Sequence, residues 1–306
     1  MWRLIRRLLK REDGATLVLV ALGMSIFMGM AAVVTDVGMV FLAKTKLTNA
    51  LDAAVLAGAQ ELPTNPVAAK ATALNYLALN GEDPNTVEVI FENDNKALTV
   101  KGKRTVKLFF AKFLGKETSE VAASSKGVVG TIIGMNGVVP LSIQEQNLIF
   151  GHEYILKSGT SDTGWFGPIA LGGNGAKVYL LNLESSYNGY LKVGDTLPTE
   201  PGNMSGPTEE GIEYRINQDP HYPKCTPTEY KRSCPRIIYL PVVSPPDGGG
   251  SSAVTIKGFA AFLVTDAEVG AGNESIVRGY FLNEIAPGDI DTTSNGFGLN
   301  GVKLVQ

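Results

Sequence analysis

A run without any formal charge spans residues 14–35, close to the N-terminus of this chain. As an α-helix these 22 residues measure ~33 Å, close to the hydrocarbon thickness of a bilayer, about 30 Å. The polar residues within it, Thr16, Ser25 and Thr35, form no stripe along a helix, whereas a surface helix of a soluble domain has a polar face. The run therefore predicts a transmembrane helix over residues 14–36.

Two other interpretations of this run are a helix buried on all sides in a soluble core and a cleavable signal peptide. Basic residues precede the run, and small residues such as Ala31 are compatible with a peptidase site. The apolar core of a signal peptide is only ~7–15 residues long, however. Here apolar residues continue at three- and four-residue spacing through residues 37–55. We therefore expect a retained anchor within one helix over about residues 15–62, ending before Pro63.

Basic residues are concentrated before the span. Five Lys or Arg lie in residues 1–13, and only Lys44 and Lys46 follow the span closely. The positive-inside rule then places a basic tail, residues 1–13, in the cytoplasm and everything after the span outside. The exported part is net acidic and has no long basic stripe, so nucleic acid is not expected as a partner. The predicted location is the cytoplasmic membrane, crossed once, with the cell surface or a pilus as the alternative.

The two cysteines, Cys225 and Cys234, lie in one Pro-rich stretch of the exported region. In an oxidising compartment this placement favours a disulfide that closes a short loop. A metal site formed by His221 with both cysteines is the alternative, but no fourth ligand and no paired Cys-x-x-Cys spacing is evident. We therefore expect a disulfide, with no metal ion and no cofactor.

The chain beyond the span divides into two regions with different patterns of apolar and turn-forming residues. Residues 37–130 contain the end of the long helix, a second helix, three short alternating strands and a helical FFAKFLG stretch, which predicts one small unit with a helix laid over an antiparallel sheet. The expected positions are 67–79 for the helix and 87–91, 98–100 and 106–108 for the strands. Residues 131–306 hold short apolar runs between Gly, Pro, Asn and Asp, which favours a β-sandwich.

The predicted fold class is therefore α+β. Within the second region the apolar run at 178–183 is expected to be a strand, preceded by a hairpin turn. The long stretch 195–236, which carries both cysteines, is expected to be an exposed loop region.

Residues that could carry catalysis are scarce. The two histidines are His152, beside a predicted strand, and His221, and no G-x-S-x-G or H-E-x-x-H motif occurs. Asp289, Asp291 and Asn295 offer oxygen ligands for calcium, but they lack EF-hand spacing, and a solvated turn is the simpler interpretation. We expect no enzymatic activity and assign no catalytic residue.

The N-terminal segment carries a family resemblance. Residues 12–63 read EDGATLVLVALGMSIFMGMAAVVTDVGMVFLAKTKLTNALDAAVLAGAQELP. An acidic residue and a Gly, an apolar span, an Asp-x-Gly at Asp36 and Gly38, and an Ala-rich run follow in an order that resembles the TadE/TadG-like proteins of the Tad (Flp) pilus system. The FAKFLG and VAASSKGVVG stretches extend this similarity to about residue 130, which implies that the unit over residues 37–130 is pilin-like. The resemblance implies a minor pilin or pseudopilin-like component, or an envelope anchor, that works with a pilus assembly machine.

This resemblance also implies a processing site. Type IV-like prepilins are cut after a Gly, which here places the site between Gly14 and Ala15. The fifth residue of such a mature chain is usually Glu, but here it is Leu19, so permanent anchoring is the favoured interpretation.

A second set of residues is expected to pack the helix. Its members are Asp36, Gly38, Ala50, Ala54, Ala57 and Gly58. Most of them are small, and small side chains allow close approach of neighbouring pilin-like helices or of the chain's own sheet.

The predicted function is that of a membrane-anchored, exported structural or assembly component of a Tad-type pilus. Its expected partners are the lipid bilayer and other pilin-like or Tad assembly proteins, with homo- or hetero-oligomers formed through the N-terminal helix. The alternative is an adhesin-like binding module displayed by the anchor, with Trp165, Phe166 and Tyr190 near loops. An anchored extracytoplasmic hydrolase is a third hypothesis, for which no residue stands out.

Overall fold

The computed structural model of the chain describes residues 12–157, 166–244, 253–270 and 274–305. By its internal contacts the chain forms two compact units. One contains the chain up to Gly127 with the last residues from Leu304, and is named the helical unit. The other runs from Val128 to Lys303 and is named the sheet unit. The domain limits 37–130 and 131–306 stay predictions.

Helix α1 (Glu12–Ala59) is one continuous helix of 48 residues. Between residues 17 and 34 its large apolar side chains are 54–75% exposed. Within the described part of the chain it is the one helix that is long and apolar enough to cross a membrane. It ends close to the expected residue 62, before Pro63.

The second half of α1 belongs to the core of the helical unit. Leu47, Leu51 and Val55 recur every four residues and are buried, as expected for one face of a helix. This part of α1 packs against α2 (Pro66–Leu79). The first turn of α2 is capped by the Asn65 side chain, which accepts a backbone N–H. The predicted second helix is therefore confirmed, and its start follows from this cap.

The helical unit also contains antiparallel strands. β1 (Val87–Glu92) pairs with β2 (Ala97–Lys107), and β2 has β3 (Thr118–Met135) as its other neighbour. In the β1–β2 turn, three consecutive Asn or Asp residues, 93–95, have φ of 52° to 64°, which these residue types tolerate. The separate strand predicted at 106–108 is wrong, because β2 continues without a break to Lys107.

Two short 3-10 helices are found among the described residues of the helical unit. They are Pro84–Thr86 and Ala111–Leu114. The second lies in the FFAKFLG stretch, which was expected to be helical.

Within its described residues the sheet unit has two helices, α3 (Ala176–Ser185) and α4 (Ser205–Asn217). In addition to the end of β3, its strands are β4 (Leu141–Gln144), β5 (Glu153–Lys157), β6 (Phe166–Pro168), β7 (Leu191–Lys192), β8 (Thr196–Pro198), β9 (Ile237–Val243), β10 (Ala253–Val269), β11 (Ser275–Leu282), β12 (Glu284–Ile285), β13 (Asp289–Asp291) and β14 (Leu299–Val305).

These strands form two sheets. One has the order β5-β11-β10-β9-β4-β6, with β8 also paired to β10. Its pairs are antiparallel except that of β4 with β9. In the other sheet β3 pairs antiparallel with β7 and β13, and β12 pairs parallel with β14.

Strand β10 is buried on both faces. Its odd-numbered residues from 259 to 263 belong to an apolar cluster that also contains Ile132 and Met135 of β3. Its even-numbered residues from 260 to 264 belong to a second cluster with Tyr179 of α3 and Ile212 of α4. One face of this sheet is therefore covered by the other sheet and the opposite face by two helices. The α+β fold class is confirmed. A β-sandwich contains only the interface between the two sheets, whereas here two helices also cover the opposite face of one sheet.

Two predictions about this region are wrong. Residues 178–183 lie in α3 and not in a strand, because Tyr179 and Leu183 are four residues apart and both fill the core on one face of a helix. The stretch 195–236 is not an exposed loop region throughout, since it contains α4 and several buried side chains.

Arg215 of α4 explains why that stretch folds inward. Its guanidinium donates hydrogen bonds to the carbonyl oxygens of Leu183 and Pro235 and to the hydroxyl of Ser186. Burial lowers the pKa of Arg215 to about 10. A buried cation with three oxygen acceptors ties α4 to the end of α3, so the chain on both sides of α4 is drawn into the sheet unit.

Candidate functional site around Asp36

Asp36 is a buried carboxylate on α1, directly after the apolar run. It is only 7% exposed, although its neighbours on the helix are mostly exposed. One carboxylate oxygen accepts the backbone N–H of Phe109 at 2.7 Å, and the other accepts those of Phe110 at 3.0 Å and Ala111 at 2.7 Å. Asp36 therefore fixes three consecutive amides of a distant part of the chain onto α1.

The segment held by Asp36 is residues 109–114, named the aromatic turn. It is closed by Gly115, whose φ of 87° lies in the left-handed region and whose N–H bonds to Lys112. The Leu108 N–H bonds to the Glu117 carbonyl across its base. Because an unpaired backbone N–H is costly away from water, the three bonds to Asp36 are what allow the turn to lie against an apolar helix.

Large apolar side chains cover the aromatic turn. Phe109, Phe113 and Leu114 are 65%, 80% and 90% exposed, and Phe110 is 43% exposed. The Lys112 ammonium lies 5.8 Å and 5.4 Å from the ring centres of Phe109 and Phe113. An exposed apolar patch of this kind is typical of a surface that contacts another protein or a membrane.

A groove of about 710 Å³ runs between α1 and the aromatic turn. Its α1 wall includes Met28, Ala32 and Val33, and its other wall includes Phe110 and Phe113. The α1 wall reaches eight residues before Asp36, which is ~12 Å along a helix axis. The aromatic turn therefore runs beside the apolar part of α1 and not only beside Asp36.

The predicted packing residues do not share one environment. Ala50 and Ala54 are buried within the helical unit, and Ala57 is half-buried. A Cβ placed on Gly58 would lie 2.7 Å from the Ala69 carbonyl oxygen, so α1 and α2 meet closely there. By contrast, no atom lies within 4 Å of a Cβ placed on Gly38. Oligomer formation through these residues stays a prediction.

Gly14 and Ala15, the predicted processing site, lie in the first turns of α1. Cleavage between them stays a prediction. Residues 1–11 of the predicted cytoplasmic tail lie outside the described residues.

Cys225 and Cys234 are both buried, and both are free thiols in the structure. The predicted disulfide therefore stays a prediction. The two sulfur atoms lie close to His221, which was considered as a metal ligand, and to Asp219, which was not.

The remaining candidates lie on exposed turns. His152 is exposed, and Asn295 is exposed in the turn that follows β13. Asp291 accepts hydrogen bonds from the Ser294 hydroxyl and from the Thr293 amide and hydroxyl, and these bonds lower the pKa of Asp291 to about 2. Bonds of this local kind are typical of a capped polar turn, which was the simpler interpretation.

The residues named for the adhesin-like alternative are also dispersed. Trp165 lies outside the described residues, and Phe166 begins β6. Tyr190 is about half exposed, and its hydroxyl donates to the Asp289 carboxylate. The adhesin-like function stays a prediction.

The connection between Asp36 and the aromatic turn is not among the features predicted from the sequence. A signal was present, because three Phe residues and a Leu lie within six positions, between a buried Leu108 and Gly115. Three Phe at such density are more than a short 3-10 helix can bury. Their partner on α1, 73 to 75 residues away, could not be identified by spacing.

The N-terminal part of the chain is similar to a known protein family. Residues 14–61 match the family Tad, described as Flp pilus-assembly TadE/G-like. No curated protein and no solved structure matches the chain. The matched residues include Asp36 and the buried small residues of α1, and they end before α2 begins. Residues 14–61, which include nearly all of α1, are therefore similar to the TadE/G-like family of Flp pilus assembly.

Proposed function

We propose that this chain is a membrane-anchored structural component of a Tad-type pilus assembly system, with a minor pilin or pseudopilin-like role and no catalytic activity. The observation that carries the proposal is the two-part character of α1, which matches the Tad family. Its first part presents exposed apolar side chains over a membrane-spanning length, and its second part is core of a folded unit. Such a helix transmits the position of the bilayer rigidly to the helical unit.

The direction of insertion follows from charge. Five Lys or Arg precede the apolar run, so the N-terminus is cytoplasmic and the rest of the chain is exported. In this orientation Asp36 lies where α1 leaves the hydrocarbon. A carboxylate at that depth needs polar partners, and the three amides of the aromatic turn supply them.

The aromatic turn then becomes a second membrane contact. Its Phe and Leu side chains lie beside the apolar part of α1, at the level of the outer leaflet, with Lys112 able to reach the headgroups. Acyl chains are the natural occupants of the groove between the turn and α1, since its walls are almost entirely apolar. Two contacts with the bilayer restrict the tilt of the helical unit more than one helix alone.

Fractionation of cells that produce the full chain tests the anchor. We expect it in the membrane fraction after an alkaline wash, with residues beyond α1 digested by protease added to spheroplasts. Chemical crosslinking in the same membranes should join it to other pilin-like or Tad proteins. A chain found in the soluble fraction, or protected from external protease, would contradict the proposal.

N-terminal sequencing of the same material separates the finer roles. A full-length N-terminus confined to membranes supports a permanent assembly anchor. A chain that begins at Ala15 and is present in sheared filaments supports a minor pilin incorporated into the pilus.

Quenching of tryptophan fluorescence by brominated lipid tests the aromatic turn. After the native Trp2 and Trp165 are replaced by Phe, Phe113→Trp should be strongly quenched in vesicles that contain brominated acyl chains. The matched control is Val67→Trp, which is equally exposed and lies near the contact of α2 with Gly58, ~33 Å along α1 from Asp36. Equal quenching of both variants would show that the turn does not enter the bilayer.

A further inference from the structure

A second cluster of functional groups lies in the sheet unit, in the segment between α4 and β9. Residues 218–236 contain no helix and no strand, although they belong to a compact unit. Irregular segments of this length are uncommon inside compact domains unless something holds them. Four side chains of this segment converge: Asp219, His221, Cys225 and Cys234.

The potential ligand atoms of these four side chains all lie within 4.8 Å of one another. They are one carboxylate oxygen, one imidazole nitrogen and two sulfur atoms, which is a donor set that zinc prefers. Cys225 and Cys234 are 6% and 3% exposed, the Asp219 side chain is fully buried, and the imidazole is mostly buried. A convergent set of this kind, removed from water, differs from the usual cluster of solvated acidic residues.

Two distances show how closely these atoms already approach a tetrahedral metal centre. Cys225 Sγ lies 3.5 Å from His221 Nδ1. Zinc bonds of about 2.3 Å to sulfur and about 2.0 Å to nitrogen place such atoms about 3.5 Å apart across the ion. His221 Nδ1 and Asp219 Oδ1 are 2.7 Å apart, a hydrogen-bond distance, so these two atoms must separate by a few tenths of an ångström to admit an ion.

Arg236 forms hydrogen bonds to Asp219, to Cys225 and to strand β10. Its Nη1 group donates to Asp219 Oδ2 at 3.3 Å and to the Cys225 carbonyl at 3.1 Å, and its Nε donates to the Val264 carbonyl of β10 at 2.9 Å. The carboxylate and one cysteine are thus tied to the central strand. One divalent ion, two thiolates, one carboxylate and one guanidinium also add up to zero net charge, which a buried site requires.

We propose that Asp219, His221, Cys225 and Cys234 bind one zinc-class divalent ion that holds the 218–236 segment in place. On binding, the two thiols lose their protons to solvent and both sulfurs bond to the ion as thiolates. The imidazole proton moves from Nδ1 to Nε2, so that Nδ1 is free to coordinate. This site and the predicted Cys225–Cys234 disulfide use the same sulfur atoms and exclude each other. A disulfide alone would leave the placement of Asp219 and His221 against the sulfurs without a role.

Elemental analysis of the full chain, purified in detergent without chelator, tests the proposal. We expect about one zinc per chain. The variants Cys225→Ser, Cys234→Ser and His221→Ala should each lower this value about tenfold or more. His152→Ala is the matched control, because His152 is exposed and lies outside the segment, and it should keep one zinc. Equal zinc contents in all variants would overturn the proposal.

Two measurements on the unaltered sequence avoid any effect of substitutions on folding. Removal of the metal and addition of Co²⁺ should give the visible bands of a tetrahedral cobalt ion with the ultraviolet absorption of a cobalt–thiolate bond. Cells quenched in acid and alkylated in denaturant should yield two modified cysteines per chain. A native disulfide yields none and a mass about 2 Da lower than the dithiol, and that result overturns the site.

Discussion

Replacing Asp36 by Ala is expected to release the aromatic turn from α1. The three amides that Asp36 accepts, those of Phe109, Phe110 and Ala111, should then exchange with solvent deuterium on the order of tenfold faster. The reason is that hydrogen bonds to an ionised carboxylate are about twice as strong as those between neutral groups, and Ala offers no acceptor. Hydrogen exchange with mass spectrometry on the full chain in lipid nanodiscs measures this change.

Asp52→Ala is the matched control for Asp36→Ala. Asp52 lies on the same helix and is half-buried, but it is 16 residues beyond Asp36, ~24 Å along the helix axis. Its replacement should leave exchange at residues 109–111 unchanged. The fluorescence of Phe113→Trp offers an independent readout, since its quenching by brominated lipid should fall when Asp36→Ala is added. Unchanged exchange in Asp36→Ala would show that the amides have other acceptors and that the carboxylate does not hold the turn.

Gly58→Val is expected to destabilise the helical unit by about 1–3 kcal/mol. A Cβ at this position would lie 2.7 Å from the Ala69 carbonyl oxygen, 2.8 Å from Leu98 Cδ2 and 3.0 Å from Ala73 Cβ. The first of these atoms is backbone of α2, so α1 and α2 must move apart to admit the side chain. This separation exposes part of the buried face of α1. Pulse proteolysis of the full chain across a urea series in mild detergent measures the loss.

Gly38→Val provides the control on the same helix. No atom lies within 4 Å of a Cβ at Gly38, so the substitution should leave the stability of the helical unit within about 0.5 kcal/mol. Similar losses at both positions would mean that the effect comes from the helix backbone and not from the contact with α2. The pair therefore separates the small residues that α1 needs for its own fold from those still available to a neighbouring helix.

The first and second halves of α1 are predicted from different features of the sequence. Its apolar part is evident because a run of uncharged residues matches a bilayer in length, a property that needs no tertiary contact. Its buried part is evident because Leu47, Leu51 and Val55 repeat at the helical period. The family resemblance over residues 12–63 rests on the same stretch, and the match over residues 14–61 confirms it.

The incorrect secondary-structure predictions lie where the apolar runs are too short to show a helical or strand periodicity. Residues 178–183 are compatible with a strand or with a helix, and the contact of Tyr179 and Leu183 with the core decides for the helix. Likewise the polar composition of 195–236 predicts a loop, but the buried Arg215 donates to three oxygen acceptors, two at the end of α3 and one at Pro235. Local composition does not report such distant partners.

Three properties of this protein can be predicted from its sequence alone: an apolar helix of membrane-spanning length, a folded α+β region after it, and an N-terminal segment similar to TadE/TadG-like proteins. These properties depend on composition and period within one stretch of chain. Two further features are visible only in the folded chain: Asp36 holds the aromatic turn, and Asp219 lies beside His221 and the two cysteines. Both depend on contacts between residues that are distant or irregularly spaced, and such contacts form only when burial of the surrounding core brings those residues together.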